Sequence, residues 1–327
     1  MNRRTATIAA RLIVIFVAPI ATTYADSNRV PPQASGVGYT SNTFHSTFQS
    51  DVQASGNQPK QINWYLEKWF TLVPTPQESI SISPPDGITL TNGGDSSNYT
   101  IGSAAARKSN SPHHWVGKAF GGGGYFEADI RFDLTRVTQP GGVGFPSWWL
   151  MPVEHFAEPR TDQWVGQANG YEHFTELDIF EYNQWASHPN AYSGAVHEWY
   201  GVYGKTCLPN FCHASNTNNE GAFNNFIIQT PGTTDFSQFH RYGLLWVTAT
   251  DTTQGYLQYY FDGAATNDRI TWERFTNQAP PPGRASWAFS VTDRLHFVLI
   301  LGTGNGQPMT IRSVNVWQSS ASQNISN

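Results

Sequence analysis

Residues 125–134 read YFEADIRFDL, and this stretch indicates the fold class. Every second residue in it is apolar: Phe126, Ala128, Ile130 and Phe132. A period of two is that of a β-strand with one buried face. Further runs of this kind lie between turns: 79–83, 86–94, 145–151, 175–182, 191–201, 224–230, 240–249, 256–263, 294–302 and 309–318. No helical period lasts for three turns, so the sequence predicts an all-β protein of the sandwich or jelly-roll type.

The composition argues against one class of ligand, nucleic acid, and favours another, carbohydrate. A formal net charge of −5 argues against nucleic acid, which calls for a basic surface. Twelve Trp are more than a core needs, because large rings are rarely buried completely. Spare aromatic rings suit a groove that stacks on flat apolar faces, such as those of the sugars in a neutral polysaccharide.

The N-terminus has the pattern of an export signal. Arg3, Arg4 and Arg11 precede a short apolar run at 12–20, and a small-residue cleavage site follows at 23–25. We therefore predict a signal peptide over 1–25, a secreted or periplasmic protein, and no membrane association after cleavage. Residues 26–60 are polar and predict a flexible lead-in. We expect one catalytic domain over 61–320 and a monomer.

The two cysteines, Cys207 and Cys212, are five residues apart in a polar stretch. In an exported chain this spacing favours a small disulfide that clamps a loop. A metal site there would need more ligands than the neighbouring His213.

The segment 175–182, TELDIFEY, carries three carboxylates. Glu176 and Asp178 share one face of a strand, whereas Glu181 falls on the other face unless one residue is added to the strand. A bulge at Ile179-Phe180 would return Glu181 to the face of Glu176. Two carboxyls brought together in this way suit a retaining glycosidase, in which one attacks the sugar and the other transfers protons. Close carboxylates also raise at least one pKa, which supplies a general acid.

Two plainer interpretations exist for these carboxylates. A solvated acidic strand face is disfavoured because Glu and Asp are depleted in strands and repel each other. A calcium site would need further oxygen ligands that the sequence does not place. We expect that no cofactor is required, and the sequence does not assign ligands to a structural calcium ion.

The motif Glu176-Leu177-Asp178-Ile179-Phe180-Glu181 resembles the E-x-D-x-x-E signature of glycoside hydrolase family 16, in its bulged, laminarinase- and agarase-like form. The flanks resemble the family in the same order: DGITLTNGG (86–94), GGGGYFEADIRFD (121–133), FPSWWLMP (145–152), HRYGLLWVTA (240–249) with YYFDG (259–263), and MTIRSVNVWQ (309–318). The chain departs from the family at Asp129, Ser313 and Asn315, where Arg, Asp and Arg are usual, so it resembles a divergent member.

The resemblance implies a concanavalin A-like jelly-roll sandwich with a concave cleft for a polysaccharide. It implies that Glu176 is the nucleophile, Glu181 the acid/base, and Asp178 the hydrogen-bonding residue between them. His197, on the strand after the carboxylates, is a candidate contact to the nucleophile or the sugar.

The aromatic candidates for sugar binding carry alternatives. Trp148 and Trp149 are adjacent and point to opposite faces, so one is core and one lines the cleft. Trp115 is either a sugar platform or a cap on the sandwich edge, and Trp185 is placed to shape one end of the groove. The long segment 151–175 between two strands predicts a substrate-binding loop.

Three functions remain in view. The first is a retaining endo-glycosidase on a β-linked polysaccharide, with β-1,3-glucan ahead of a galactan such as agar or carrageenan. The second is a transglycosylase that uses the same site. The third is a non-catalytic carbohydrate-binding sandwich, which would not need a carboxyl with a raised pKa.

Overall fold

The computed structural model describes residues 29–53, 61–66, 75–91, 99–106, 115–137, 146–156, 171–182, 190–202, 219–232, 234–278, 280–303 and 309–326. Two large antiparallel sheets form a β-sandwich of the jelly-roll class, which confirms the predicted fold class. The signal peptide predicted over 1–25 lies outside the described residues. Among the helices that are described, none has the length and apolar character to cross a membrane.

The larger sheet has nine strands in the described part of the chain, in the order β14-β13-β12-β7-β17-β3-β2, with β1 beside β17 and β15 beside β13. Its strands are β1 (Ser41–Ser46), β2 (Ile80–Ser83), β3 (Gly87–Leu90), β7 (Gly124–Phe132), β12 (His240–Val247), β13 (Gly255–Phe261), β14 (Ala264–Ala265), β15 (Ile270–Trp272) and β17 (Met309–Gln318).

The second sheet, here called the site sheet, has six described strands in the order β11-β10-β9-β8-β16-β4. Its strands are β4 (Tyr99–Gly102), β8 (Pro146–Pro152), β9 (Tyr171–Glu181), β10 (Ala191–Val202), β11 (Asn219–Gln229) and β16 (Phe297–Thr303). A small sheet joins β5 (Ala104–Ala106), β6 (Trp115–Ala119) and β18 (Ile325–Ser326).

Helical structure among the described residues is confined to short segments. They are α1 (Pro32–Ser35), α2 (Leu134–Val137), α3 (Val153–Phe156) and two 3-10 segments (Gln77–Ser79 and Ala288–Arg294).

The core lies between the two large sheets. Phe126 of β7 and Leu177 of β9, from opposite sheets, belong to one buried cluster. Phe180 of the site sheet packs on Tyr242 of the larger sheet with ring centroids 4.3 Å apart. Burial of such side chains stabilises the fold by roughly 1.5–3 kcal/mol each relative to exposure.

The predicted flexible lead-in over 26–60 is wrong for the part that the structure describes. β1 pairs with β17, and Phe44 and Phe48 are buried in the main core. Further upstream, Tyr39 donates a hydrogen bond to the Trp246 carbonyl oxygen at 3.0 Å. A polar composition hid these contacts, because a few well-placed aromatic residues are enough to anchor a polar segment to a sheet.

The same segment covers part of the second face of β7, whose polar residues predict a face open to solvent. Ala34 and Tyr39 pack with Tyr125, and Gln33 donates a hydrogen bond to the Tyr125 hydroxyl at 2.7 Å. Gly123 makes room for this packing, because a Cβ there would lie 2.2 Å from the Tyr39 hydroxyl. β7 is therefore buried on both faces.

Candidate active site

The carboxylate strand β9 contains the predicted bulge. Against β10, Glu176 pairs with His197, Asp178 with Ala195, and Glu181 with Ser193. Three steps along β9 from Asp178 to Glu181 therefore match two steps along β10. The other neighbour, β8, shows the same extra residue, since Trp149 pairs with Asp178 and Trp148 with Phe180.

The bulge places all three carboxylates on the outer face of the site sheet. Leu177 and Tyr182 are fully buried in the core between the sheets. Glu176 and Glu181 are half-buried on the opposite side, and Asp178 is 3% exposed between them. Four steps of β10 now separate the partners of Glu176 and Glu181, a Cα span of about 13 Å, which two Glu side chains can largely close.

Strand β10 contributes donors to two of these carboxylates. Trp199 Nε1 donates a hydrogen bond to Glu176 Oε2 at 2.9 Å. His197 Nε2 lies 3.3 Å from Asp178 Oδ2, and its side chain is 20% exposed. The two rings stack in parallel, with centroids 5.4 Å apart and planes 5° apart. His197 therefore lies beside Asp178, whereas the sequence predicts a contact to the nucleophile Glu176 or to the sugar.

Glu181 has a different electrostatic environment. Burial, followed by the negative charges of Asp178 and Glu176, raises the pKa of Glu181 well above its ordinary value, while His197 acts in the opposite direction. A carboxyl that keeps its proton toward neutral pH is suited to donate it to a leaving oxygen. The site therefore holds carboxylates in unequal environments, as acid/base chemistry requires.

The backbone opposite the bulge is supported from the larger sheet. Tyr259 of β13 donates a buried hydrogen bond to the Ala195 carbonyl oxygen at 2.8 Å. Gly194 permits this approach, because a Cβ there would lie 2.9 Å from the Phe226 ring and 3.0 Å from the Tyr259 ring. The larger sheet thus fixes the segment of β10 that faces the extra residue.

One end of the carboxylate row is closed by a histidine. His155 of α3 stacks on Phe174 with centroids 4.2 Å apart, and its Nδ1 lies 2.6 Å from Glu172 Oε2. Phe174 occupies the same face as Glu176, two residues earlier on β9.

The loop predicted over 151–175 is shorter than expected, because β9 already begins at Tyr171 and α3 covers 153–156.

The structure separates the predicted aromatic residues. Trp149 is half-buried on the outer face beside Asp178, whereas Trp148 is fully buried in the core. The binding role predicted for Trp148 is therefore corrected to packing. Trp115 begins β6, is 6% exposed and joins the main core, so it has a packing role and presents no open ring face to a sugar.

Other predicted residues lie outside the described part of the chain. These are Trp185 and the two cysteines of the predicted disulfide, Cys207 and Cys212. Most of the predicted substrate loop, residues 157–170, is outside it as well.

Trp199 is the residue of this face that sequence reasoning missed. Its signal was its position two residues after His197 on one strand, which puts both side chains on the same face. Over the described ranges, no group of three or more His, Cys, Asp or Glu is arranged to hold a metal ion.

Comparisons with known proteins give likenesses to solved structures. No protein-family model matches the chain, and no curated protein matches it. An endo-1,3-beta-glucanase from Streptomyces sioyaensis is 16% identical, over 88% of this chain and 97% of that chain, with a TM-score of 0.45.

Two further solved structures are similar at the same level. The LamAcat protein from Zobellia galactanivorans is 11% identical over 86% of this chain and 98% of that chain, with a TM-score of 0.43. An immunostimulatory antigen and pseudo beta-1,3-glucanase of Mycobacterium tuberculosis is 18% identical over 85% and 99%, with a TM-score of 0.40. Likenesses of this size carry no argument about activity.

Proposed function

We propose that this protein is a secreted, retaining endo-glycosidase that hydrolyses a β-linked polysaccharide. The observation that supports it is the bulge in β9, which brings Glu181 onto the face of Glu176 and Asp178. A regular strand would bury Glu181 in the core, where it would have neither a role nor a partner. The resemblance of the E-x-D-x-x-E motif and its ordered flanks to glycoside hydrolase family 16 supports the same function.

The proposed reaction is a double displacement. The Glu176 carboxylate attacks the anomeric carbon, and Glu181 gives its proton to the departing glycosidic oxygen as the carbon–oxygen bond breaks. A glycosyl ester forms on Glu176. The Glu181 carboxylate then takes a proton from water, whose oxygen attacks the anomeric carbon and releases Glu176. Both glutamates return to their starting states, and the sugar keeps its β configuration.

Asp178 and His197 have supporting parts in this scheme. Asp178 lies between the two glutamates and is 3% exposed, so its charge acts on Glu181 with little screening by water. His197 sits against Asp178 and limits the movement of that carboxylate.

For the substrate we propose a neutral β-glucan, with β-1,3-glucan first. That choice rests on the resemblance of the motif to laminarinase-like sequences. Sulfated galactans would favour a basic cleft, whereas this chain has 19 Lys and Arg and a net charge of −5. Trp149 and Trp199, half-buried on the outer face, are the described rings available to a sugar there.

The test is the release of reducing ends by the mature chain from laminarin, lichenan, xyloglucan, agarose and κ-carrageenan. Glu176→Gln is the matched control, because it preserves shape and removes the nucleophile. We expect cleavage of laminarin, reduced by about 10³-fold or more in the variant. Binding of one glycan by both proteins without cleavage would replace the enzyme by a carbohydrate-binding sandwich. Longer oligosaccharides formed from short ones would identify a transglycosylase.

A further inference from the structure

The two glutamates on the outer face of the site sheet have different neighbours, and Trp199 contacts one of them, Glu176. Trp199 lies on β10 opposite Phe174, diagonal to Glu176. Its indole Nε1 reaches Glu176 Oε2 at 2.9 Å, within the range of a good hydrogen bond.

An indole N–H can only donate, so this hydrogen bond is stronger when Glu176 is ionised than when it carries a proton. Hydrogen bonds to a charged acceptor are roughly twice as strong as neutral ones. Trp199 therefore favours the carboxylate form of Glu176, which is the form that acts as a nucleophile. Partial burial of the pair strengthens the effect because less water screens it.

The indole is also held in place. Its ring stacks in parallel on the His197 imidazole, which itself lies against Asp178. Phe174, opposite Trp199 on β9, is 1% exposed beneath the His155 ring. The stacked His197 ring limits the movement of the indole, so less entropy is lost when its Nε1–H is aimed at one carboxylate oxygen.

Other titratable groups share this face. Among the described residues they are Asp178, Glu181 and Glu172 of β9, His197 of β10, and His155 of α3. His197 is adjacent to Asp178, and His155 to Glu172. The carboxylates nearest to Glu176 favour its protonated form, and the hydrogen bond from the Trp199 indole favours its ionised form.

We propose that Trp199 is a positioning residue that keeps Glu176 ionised and oriented, and so assigns the nucleophile role to Glu176 and the proton-donor role to Glu181. The assignment of roles rests on the proposed function. The hydrogen bond and its effect on Glu176 do not, because they belong to the resting protein.

The experiment compares Trp199→Phe with the wild type and with Trp272→Phe. Trp272→Phe makes the same chemical change away from the site, since Trp272 Nε1 donates to Asp293 at 2.8 Å. The titration midpoint of the Glu176 carboxyl is followed by ¹³C NMR in glutamate-labelled protein without substrate, and the signal is assigned with Glu176→Gln. We expect Trp199→Phe to raise the midpoint by about one pH unit, a tenfold change in the proton dissociation constant, and Trp272→Phe to leave it in place.

A second measurement needs no substitution at Trp199, and it decides the matter if Trp199→Phe fails to fold. In the wild type, the indole ¹H–¹⁵N resonance of Trp199 should shift with pH along the titration of Glu176, and this shift should vanish in Glu176→Gln. An unchanged Glu176 midpoint in folded Trp199→Phe, or an indole resonance that does not follow Glu176, would overturn the proposal.

Activity provides an independent reading. If the wild type cleaves a glycan, the acidic limb of its kcat/KM profile should move upward in Trp199→Phe together with the NMR midpoint. If no glycan is cleaved while the NMR shift is found, the proposed function fails and the role of Trp199 in holding Glu176 ionised stands.

Discussion

Two half-buried carboxyl groups in this protein differ in their tryptophan neighbours. Asp293 accepts hydrogen bonds from Trp246 Nε1 at 3.0 Å, Trp272 Nε1 at 2.8 Å and the Ala249 amide at 2.9 Å. Glu181 sits beside other carboxylates, and the indole of Trp199 donates its hydrogen bond to Glu176.

The pKa values follow this difference in neighbours. Burial raises the pKa of Asp293 to about 6, while the Trp272, Ala249 and Trp246 donors pull it back. Burial also raises the pKa of Glu181, and there the next largest causes, Asp178 and Glu176, raise it further. The N–H donors around Asp293 give it a structural role, because they bind its carboxylate form. The carboxylates around Glu181 favour its protonated form, which can donate a proton.

Among the substitutions that test this comparison, Asp293→Asn should have the largest effect on stability. The Asn oxygen still accepts, but its NH₂ group faces N–H donors, so at least one buried donor loses its partner. We expect the free energy of unfolding at pH 4, where Asp293 is protonated in the folded protein and its raised pKa of about 6 costs the wild type little, to fall by about 1–3 kcal/mol in urea titrations. Activity per folded molecule should stay unchanged.

Asp268→Asn is the control for this loss, since Asp268 is exposed on the turn after β14. A stability of Asp293→Asn equal to that of the control would show that the three donors contribute nothing to the fold.

Glu181→Gln should have a smaller effect on stability, with the opposite sign. Because its folded pKa is raised, the native state keeps a proton that the unfolded chain has already lost, so ionisation of Glu181 reduces stability as pH rises from its ordinary value of 4.5. Gln cannot ionise. We expect the variant to be more stable than the wild type by about 0.5–2 kcal/mol at neutral pH, with the gain absent below pH 4.

Thermal unfolding of both proteins from pH 3 to 8 measures this gain. A variant that is less stable at every pH would mean that Glu181 is held by favourable contacts and is not destabilised by its carboxylate neighbours.

The sequence predicted the site sheet better than it predicted the surroundings of the sheet. The E-x-D-x-x-E spacing contains the bulge, because only an added residue puts three carboxylates on one face. Alternation in 125–134 likewise predicted β7 and its inner face. Such local periods are visible within a few residues of chain.

Contacts between distant segments were not predictable in the same way. The packing of Tyr39 on β7 joins residues about 90 positions apart, and no local pattern encodes it. The sequence leaves Trp115 open between a sugar platform and a cap on the sandwich edge, and in the structure it is buried with the main core. The Trp199 hydrogen bond depends on the register between β9 and β10, which the bulge itself sets.

The central claim is that Glu176 forms a covalent bond to the sugar. The direct measurement is mass spectrometry of the protein after incubation with a 2-deoxy-2-fluoro glycoside of the cleaved glycan that carries an activated leaving group. The account predicts one fluoroglycosyl group per chain, mapped to Glu176 and absent in Glu176→Gln. A label on Glu181, or turnover of the natural glycan with inversion of its anomeric configuration, would contradict it.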